Sequence, residues 1–179
     1  TPTIGAVGLI DHLDHAIADV AREGHVALLL GDTTGHLGRS ALLSEVFNRI
    51  DGDAPAVDLA AEKTAGDFIR DNRDWIKVCT DLADGGPALA AYELADQGDV
   101  GVILDMADTP TLFGEDQARY LIACNFDQAE ALMVNAGRAG VPLASVGRFT
   151  GSDVVIGGSS APLDELRTLS QSTLPALFG

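Results

Sequence analysis

Two rhythms of apolar residues run along this chain. Val26–Leu30 is a continuous apolar run that stops at Gly31, the signature of a strand buried on both faces. Residues 4–10, 76–82, 100–106 and 119–125 also read as strands, as do 144–149 and 153–156, joined hairpin-fashion through Thr150, Gly151 and Ser152. Elsewhere apolar positions recur every three or four residues. Leu42, Leu43, Val46, Phe47 and Ile50 predict a helix that Ser40 caps and Asp51, Gly52 and Asp53 end. Asp58 caps a second predicted helix, in which Leu59, Phe68 and Ile69 keep an apolar stripe to about Asn72. Asp84 is placed to cap a third, with Pro87 tolerated in the first turn because its missing N–H would be unpaired there. A fourth runs from Asp127 to about Ala139, and a fifth covers 163–174, while 109–114 read as a loop. Strands and helices alternate, with hairpin-like pairs among them. The pattern predicts an α+β fold, a mixed β-sheet layered with α-helices.

Composition narrows the partners. A chain of 179 residues suits one domain with a real core. Lys and Arg number 11 against 27 Asp and Glu, a formal charge of −16 that repels phosphate backbones and anionic bilayers, so neither nucleic acid nor membrane is an expected partner. A free nucleotide is still compatible, because Mg²⁺ can bridge its phosphates to carboxylates. Cys79 and Cys124 each sit in an apolar run without C-x-x-C spacing, and read as core thiols of a reducing compartment. No run reaches the roughly 18–20 apolar residues of a membrane span, so a cytoplasmic protein is expected. The chain opens without methionine in the strand-like run 4–10, so residues 1–10 are expected to close a preceding domain and 11–179 to be one domain of a longer polypeptide.

Three stretches could carry chemistry. Loop 31–40, Gly-Asp-Thr-Thr-Gly-His-Leu-Gly-Arg-Ser, links a buried strand to a predicted helix, and its glycines would let amides approach an anion. It matches neither Walker A nor G-x-G-x-x-G, and on spacing alone reads either as a structural loop or as a phosphate cradle. Asp81, at a strand's carboxyl end before Gly85 and Gly86, could hold Mg²⁺ whose other ligands are phosphate oxygens and water. Glu115, in the loop before the strand at 119–125, reads as a second metal carboxylate or as a solvated acid. His36 is the one histidine placed for chemistry, with a surface role as the plainer reading. Nucleophile and zinc-protease signatures are absent from the sequence.

These elements, in this order, resemble the aminoimidazole ribonucleotide (AIR) synthetase-related family of ATP-dependent enzymes over essentially the whole chain. Residues 80–86 match its strand-then-Asp-x-x-Asp-Gly-Gly element, and 112–120 its L-F-G-E-x-Q-x-R-Y element. Loop 31–40 resembles the G-[DE]-T-x-x-x-L-G-G-S signature of the formylglycinamide ribonucleotide amidotransferase branch. The resemblance implies an AIR synthetase carboxy-terminal-domain-like fold over 11–179, within a purine-biosynthesis ligase that uses ATP and glutamine-derived ammonia. It implies nucleotide sites between domains, with this module bordering a structural one and carrying no catalytic residue of its own. ATP or ADP and Mg²⁺ are the implied cofactors, with Gly35, Gly38, Ser40, Gly85 and Gly86 toward phosphate and Asp81 toward the metal. Implied partners are the amino-terminal domains of the same polypeptide, a glutaminase subunit and a small bridging subunit; a homodimer of the fragment through its exposed edge is a further expectation. A purely architectural domain and the carboxy-terminal domain of another family enzyme are the alternatives. Two positions depart from the pattern: Arg39 replaces its second glycine and Ala83 its usual serine. A side chain at position 39 is expected to exclude positive φ and to crowd a phosphate, or else to pair with it.

Overall fold

A computed structural model describes residue 5 and residues 7–178. The strands are β1 (Val26–Leu30), β2 (Val78–Asp81), β3 (Val102–Leu104), β4 (Tyr120–Cys124), β5 (Leu143–Phe149), β6 (Asp153–Ile156) and β7 (Ser159–Pro162). The helices are α1 (Leu59–Asp71), α2 (Gly86–Gly98), α3 (Thr109–Phe113), α4 (Phe126–Ala139) and α5 (Leu163–Phe178). The strand expected over 4–10 lies partly outside the described residues; residues 7–10 join no strand, and Val7 and Leu9 are exposed. Among the described residues no helix is long and apolar enough to cross a membrane.

One seven-stranded sheet runs in the order β2-β4-β1-β5-β3-β6-β7, antiparallel throughout except where β6 lies parallel to β3. Alternation of side chains across its central strands builds two cores. Ala27 and Leu29 of β1, with Leu121 and Ala123 of β4, pack under α2, where Ala91, Leu94 and Ala95 meet them. Leu28, Leu30, Ile122 and Cys124 point the other way, into a second core with Phe68 of α1 and Leu132 and Ala136 of α4. The run Val-Ala-Leu-Leu-Leu is continuous because both of its faces are covered, as the sequence predicts. Burial also pushes both thiols up, to about 11, with Asp81 adding to the effect at Cys79 and Asp127 at Cys124, so neither is a nucleophile at neutral pH.

Four local expectations are corrected. The predicted helix after Ser40 is a single π-type turn, Leu42–Val46, and Val46, Phe47 and Ile50 are exposed. Helices in proteins are stabilised mainly by burying an apolar face, and here Leu42 and Leu43 are only half-buried while the rest of the stripe stays exposed. Residues 109–113, read as loop, form α3, which Asp108 caps by accepting from the Thr111 amide at 3.1 Å. Helix α2 is entered through left-handed Gly85 (φ 77°) rather than capped by Asp84. Strands β5 and β6 are not a hairpin, because β3 lies between them: Thr150 and Gly101 tie the connection over the end of β3, through bonds of 2.8 Å and 2.7 Å to Gly101 O and Gly151 O. The hairpin partner of β6 is β7, reached through left-handed Gly157 and Gly158, a Gly-Gly turn.

Candidate functional site

The loop after β1 and the turn after β2 meet on one segment, residues 110–116. Gly35 (φ 76°) packs so closely that a Cβ would lie 2.6 Å from the Pro110 side chain, and one on Gly86 (φ 59°) would lie 2.5 Å from Gly114 O. Only glycine permits both the conformation and the approach. Two consecutive carboxylates then clamp the loops. Glu115 Oε1 accepts from the amides of Ala41 at 2.8 Å and Gly85 at 2.9 Å, bridging the two helix-entry turns. These two bonds make it a structural strut rather than a solvated acid.

Asp116 faces the other way. Its carboxylate accepts from the Thr34 hydroxyl, from the Gly35 amide at 3.1 Å and from the His36 amide at 3.4 and 3.5 Å. Arg119, whose side chain is wholly buried, sits 3.6 Å away. Its guanidinium donates to Gly114 O at 2.5 Å, Thr33 Oγ1 at 3.1 Å and Asp116 O at 3.3 Å, tying the loop after β1 to the segment before β4. Burial alone would raise the Asp116 carboxyl, but Thr34, Arg119 and the two amides together hold it below the usual carboxylate range. Burial lowers Arg119 although Asp116 opposes it, as expected for a desolvated cation with a single counter-charge.

The residues singled out from sequence fall into three groups. The amides of Gly35, Gly85 and Gly86 have internal acceptors, in Asp116, Glu115 and the Ala83 carbonyl at 3.1 Å. Ser40 is buried, and its Oγ accepts from the Leu43 amide at 3.3 Å; Gly38 packs on the backbone of Asp53. Asp81 stands apart, exposed at the end of β2. Among the described residues no three His, Cys, Asp or Glu side chains gather as a metal cluster, so Asp81 fits only the mode in which one carboxylate holds Mg²⁺ and phosphate oxygens and water complete its shell. His36 Nε2 donates to Asp53 O at 2.9 Å and so fastens the loop to the 51–53 turn. Arg39 adopts φ 57°, a conformation that glycine takes readily, and its Nε donates to Gly52 O at 3.1 Å. The expectation that a side chain there excludes positive φ is thereby corrected.

Sequence reading missed Asp116 and Arg119 as partners. The signal was an acid and an arginine three apart, directly before the apolar run of β4. An arginine that opens a buried strand needs a counter-charge within reach. The carboxylate of Asp116 borders a cleft of about 550 Å³ that Asp32, Thr34, His36, Asp58 and Thr64 also line. A second groove, of about 580 Å³ beside α2, is lined mainly by apolar residues such as Leu89, Leu112 and Ile156, with Tyr92, Thr109, Ser159 and Ser160 as its polar members. The polar cleft is a candidate binding site, and Gly35, Gly38, Ser40, Gly85, Gly86 and Asp81 are not among the residues that line it.

Comparison with known proteins follows the same lines. A family model described as AIR synthase related protein, C-terminal domain, matches residues 22–158. A phosphoribosylformylglycinamidine synthase subunit PurL from Ruegeria sp. (strain TM1040) is 66% identical over 173 residues, which are 97% of this chain and 24% of that protein. The PurL subunit of Zymomonas mobilis subsp. mobilis is 39% identical over 187 residues, again covering 25% of its length. The chain thus spans about a quarter of the curated relatives that it matches. Among solved structures, T. maritima PurL complexed with FGAR superposes with a TM-score of 0.70 at 20% identity, over 86% of this chain and 30% of that one. A thiamine-monophosphate kinase from Stenotrophomonas maltophilia K279a gives 0.55 at 20% identity, over 82% of this chain and 54% of that one. At such identities the structural likeness is one of fold.

Proposed function

We propose, from the premise that this chain belongs to the family of AIR synthase related proteins as their C-terminal domain, that it is the carboxy-terminal module of a phosphoribosylformylglycinamidine synthase subunit. The observation that carries this reading is 66% identity over 97% of the chain to a PurL subunit. The enzyme would convert formylglycinamide ribonucleotide, ATP and glutamine-derived ammonia to the formylglycinamidine in purine biosynthesis. Structures of T. maritima PurL with FGAR, ATP and ADP support such ligands for the intact protein. The module contributes no catalytic residue and borders a nucleotide site, with Gly35, Gly38, Ser40, Gly85 and Gly86 toward the phosphates and Asp81 toward Mg²⁺. Bound Mg²⁺ would offset phosphate charge. Its partners are the remaining domains of its polypeptide, a glutaminase subunit and a small bridging subunit; a structure of PurLQS from Thermotoga maritima supports a multi-subunit assembly.

The test is a chimera in which this chain replaces the matching segment of the Ruegeria subunit. Retained ATP- and ammonia-dependent formation of the amidine is expected. A soluble, assembled chimera without activity overturns the proposal. Titrating the chimera with Mg-ADP, with and without Asp81→Ala, tests the site: weaker binding in the variant is expected, and unchanged affinity removes Asp81 from it. A second reading, architecture without ligand, draws support from the internal acceptors of the Gly35, Gly85 and Gly86 amides, and is favoured if replacing residues 31–40 or Asp81 leaves nucleotide binding untouched.

A further inference from the structure

We infer that residues 33–36 and Arg119 form a latent oxyanion site which Asp116 keeps closed by supplying its own carboxylate as the resident anion, so that a phosphoryl group enters only by displacing Asp116. This deepens the phosphate-loop part of the function proposed above and rests on it. The donors are already assembled: the Thr34 hydroxyl, consecutive amides of Gly35 and His36 at 3.1 to 3.5 Å, and the Arg119 guanidinium at 3.6 Å. Successive amides beside a buried arginine make the concave, positive environment in which phosphate oxygens are held. At present both carboxylate oxygens fill it.

The arrangement has the parts of a displaceable plug. Arg119 is anchored independently of the carboxylate, by Gly114 O and Thr33 Oγ1, so the site keeps its cation when Asp116 leaves. Asp116 sits in the connection between α3 and β4 rather than inside a paired strand. Asp116 also lines the polar cleft, where a phosphoryl ligand would meet its like charge. Displacement therefore costs the ligand the exchange of one charge-assisted set of hydrogen bonds for another, and a discharged position 116 removes that cost.

The probe is inorganic phosphate, titrated into the ¹⁵N-labelled chain while the amide resonances of Gly35 and His36 are followed, in wild type, Asp116→Ala and Asp116→Asn. In wild type these resonances should stay still. In Asp116→Ala they should shift saturably, with affinity raised by about tenfold or more, the value of one charge-assisted hydrogen bond. Melting at matched ionic strength gives a second readout: phosphate should raise the variant's Tm more than the wild type's, and the subtraction removes general stabilisation by phosphate. A folded variant whose two amides stay still overturns the latent site, and equal shifts in wild type overturn its closure. Should Asp116→Ala fail to fold, Asp116→Asn, of nearly the same volume, decides by the same criterion. Failure here is separable from failure of the proposed function: a chimera that binds Mg-ADP through Asp81 while the Gly35 and His36 amides stay still loses only the latent site.

Discussion

Two glycine-bearing turns hand this chain from a strand toward a predicted helix, and they end differently. After β2, Gly85 and Gly86 open into α2, thirteen residues long, in which Pro87, Ala88, Ala90, Ala91, Leu94 and Ala95 are all buried. After β1, loop 31–40 opens into one π-type turn with no buried residue, although its apolar spacing is as helical as any in the chain. Glu115 fastens both turns, and Asp116 and His36 add polar contacts to the second alone. Periodicity states what a segment would bury; the surface available to it decides whether a helix follows. The loop after β1 is thus a region ordered by polar clamps, and α2 a region ordered by hydrophobic burial.

Removing the clamp's buried cation should have the largest effect. Arg119→Met leaves Asp116 without its counter-charge and Gly114 O without its donor, and should cost about 3–5 kcal/mol by urea denaturation. Hydrogen exchange should speed up at residues 33–36 before it does in α2. A loss below about 1 kcal/mol would show that the loop holds without its clamp. Paired truncations come next: Leu94→Ala in α2 should cost about 3 kcal/mol, whereas Phe47→Ser, on the exposed stripe, should stay within about 0.5 kcal/mol. Comparable losses would erase the contrast between the two regions.

A pH series sharpens it further. The folded-state pKa of Asp116 is lowered, so its contribution is fully present above the unfolded carboxyl value of about 4 and is lost as pH falls through the folded value. Wild type should exceed Asp116→Asn by about 2 kcal/mol at neutral pH, the value of its charge-assisted bonds, and the gap should close in acid. A gap independent of pH would mean that shape, not charge, holds the loop. The smallest effect is expected at Arg39. Arg39→Gly relieves a left-handed arginine at the loss of one exposed hydrogen bond, and should raise stability by about 0.5 kcal/mol in the same denaturation assay. A loss of stability would show that the bond to Gly52 outweighs the strain.

Much of the core was legible because its signals are local. Asp58 caps α1 through the amides of Ala60 and Ala61, as its position before Leu59 predicts, and the runs of β1 and β4 are buried on both faces. The order of strands was not legible, since nothing near Thr150 tells that β3 will lie between β5 and β6. The candidate site divides similarly. The glycines of 31–40 and 83–86 announce tight turns, but the acceptors of the Gly85 and Gly35 amides are Glu115 and Asp116, 30 and 81 positions away.

By itself the sequence determined the elements with covered faces, the family through the motifs it resembles, and a formal charge of −16. The covered elements follow from period and the charge from composition, while the family rests on the resemblance of motifs; a linear chain carries all three in full. The tertiary structure alone decided which stripe found a surface, how the sheet is threaded, and that the donors of the glycine loop already hold a carboxylate. Each depends on which distant segment fills a given space, because burial and hydrogen-bond satisfaction are properties of neighbours in three dimensions.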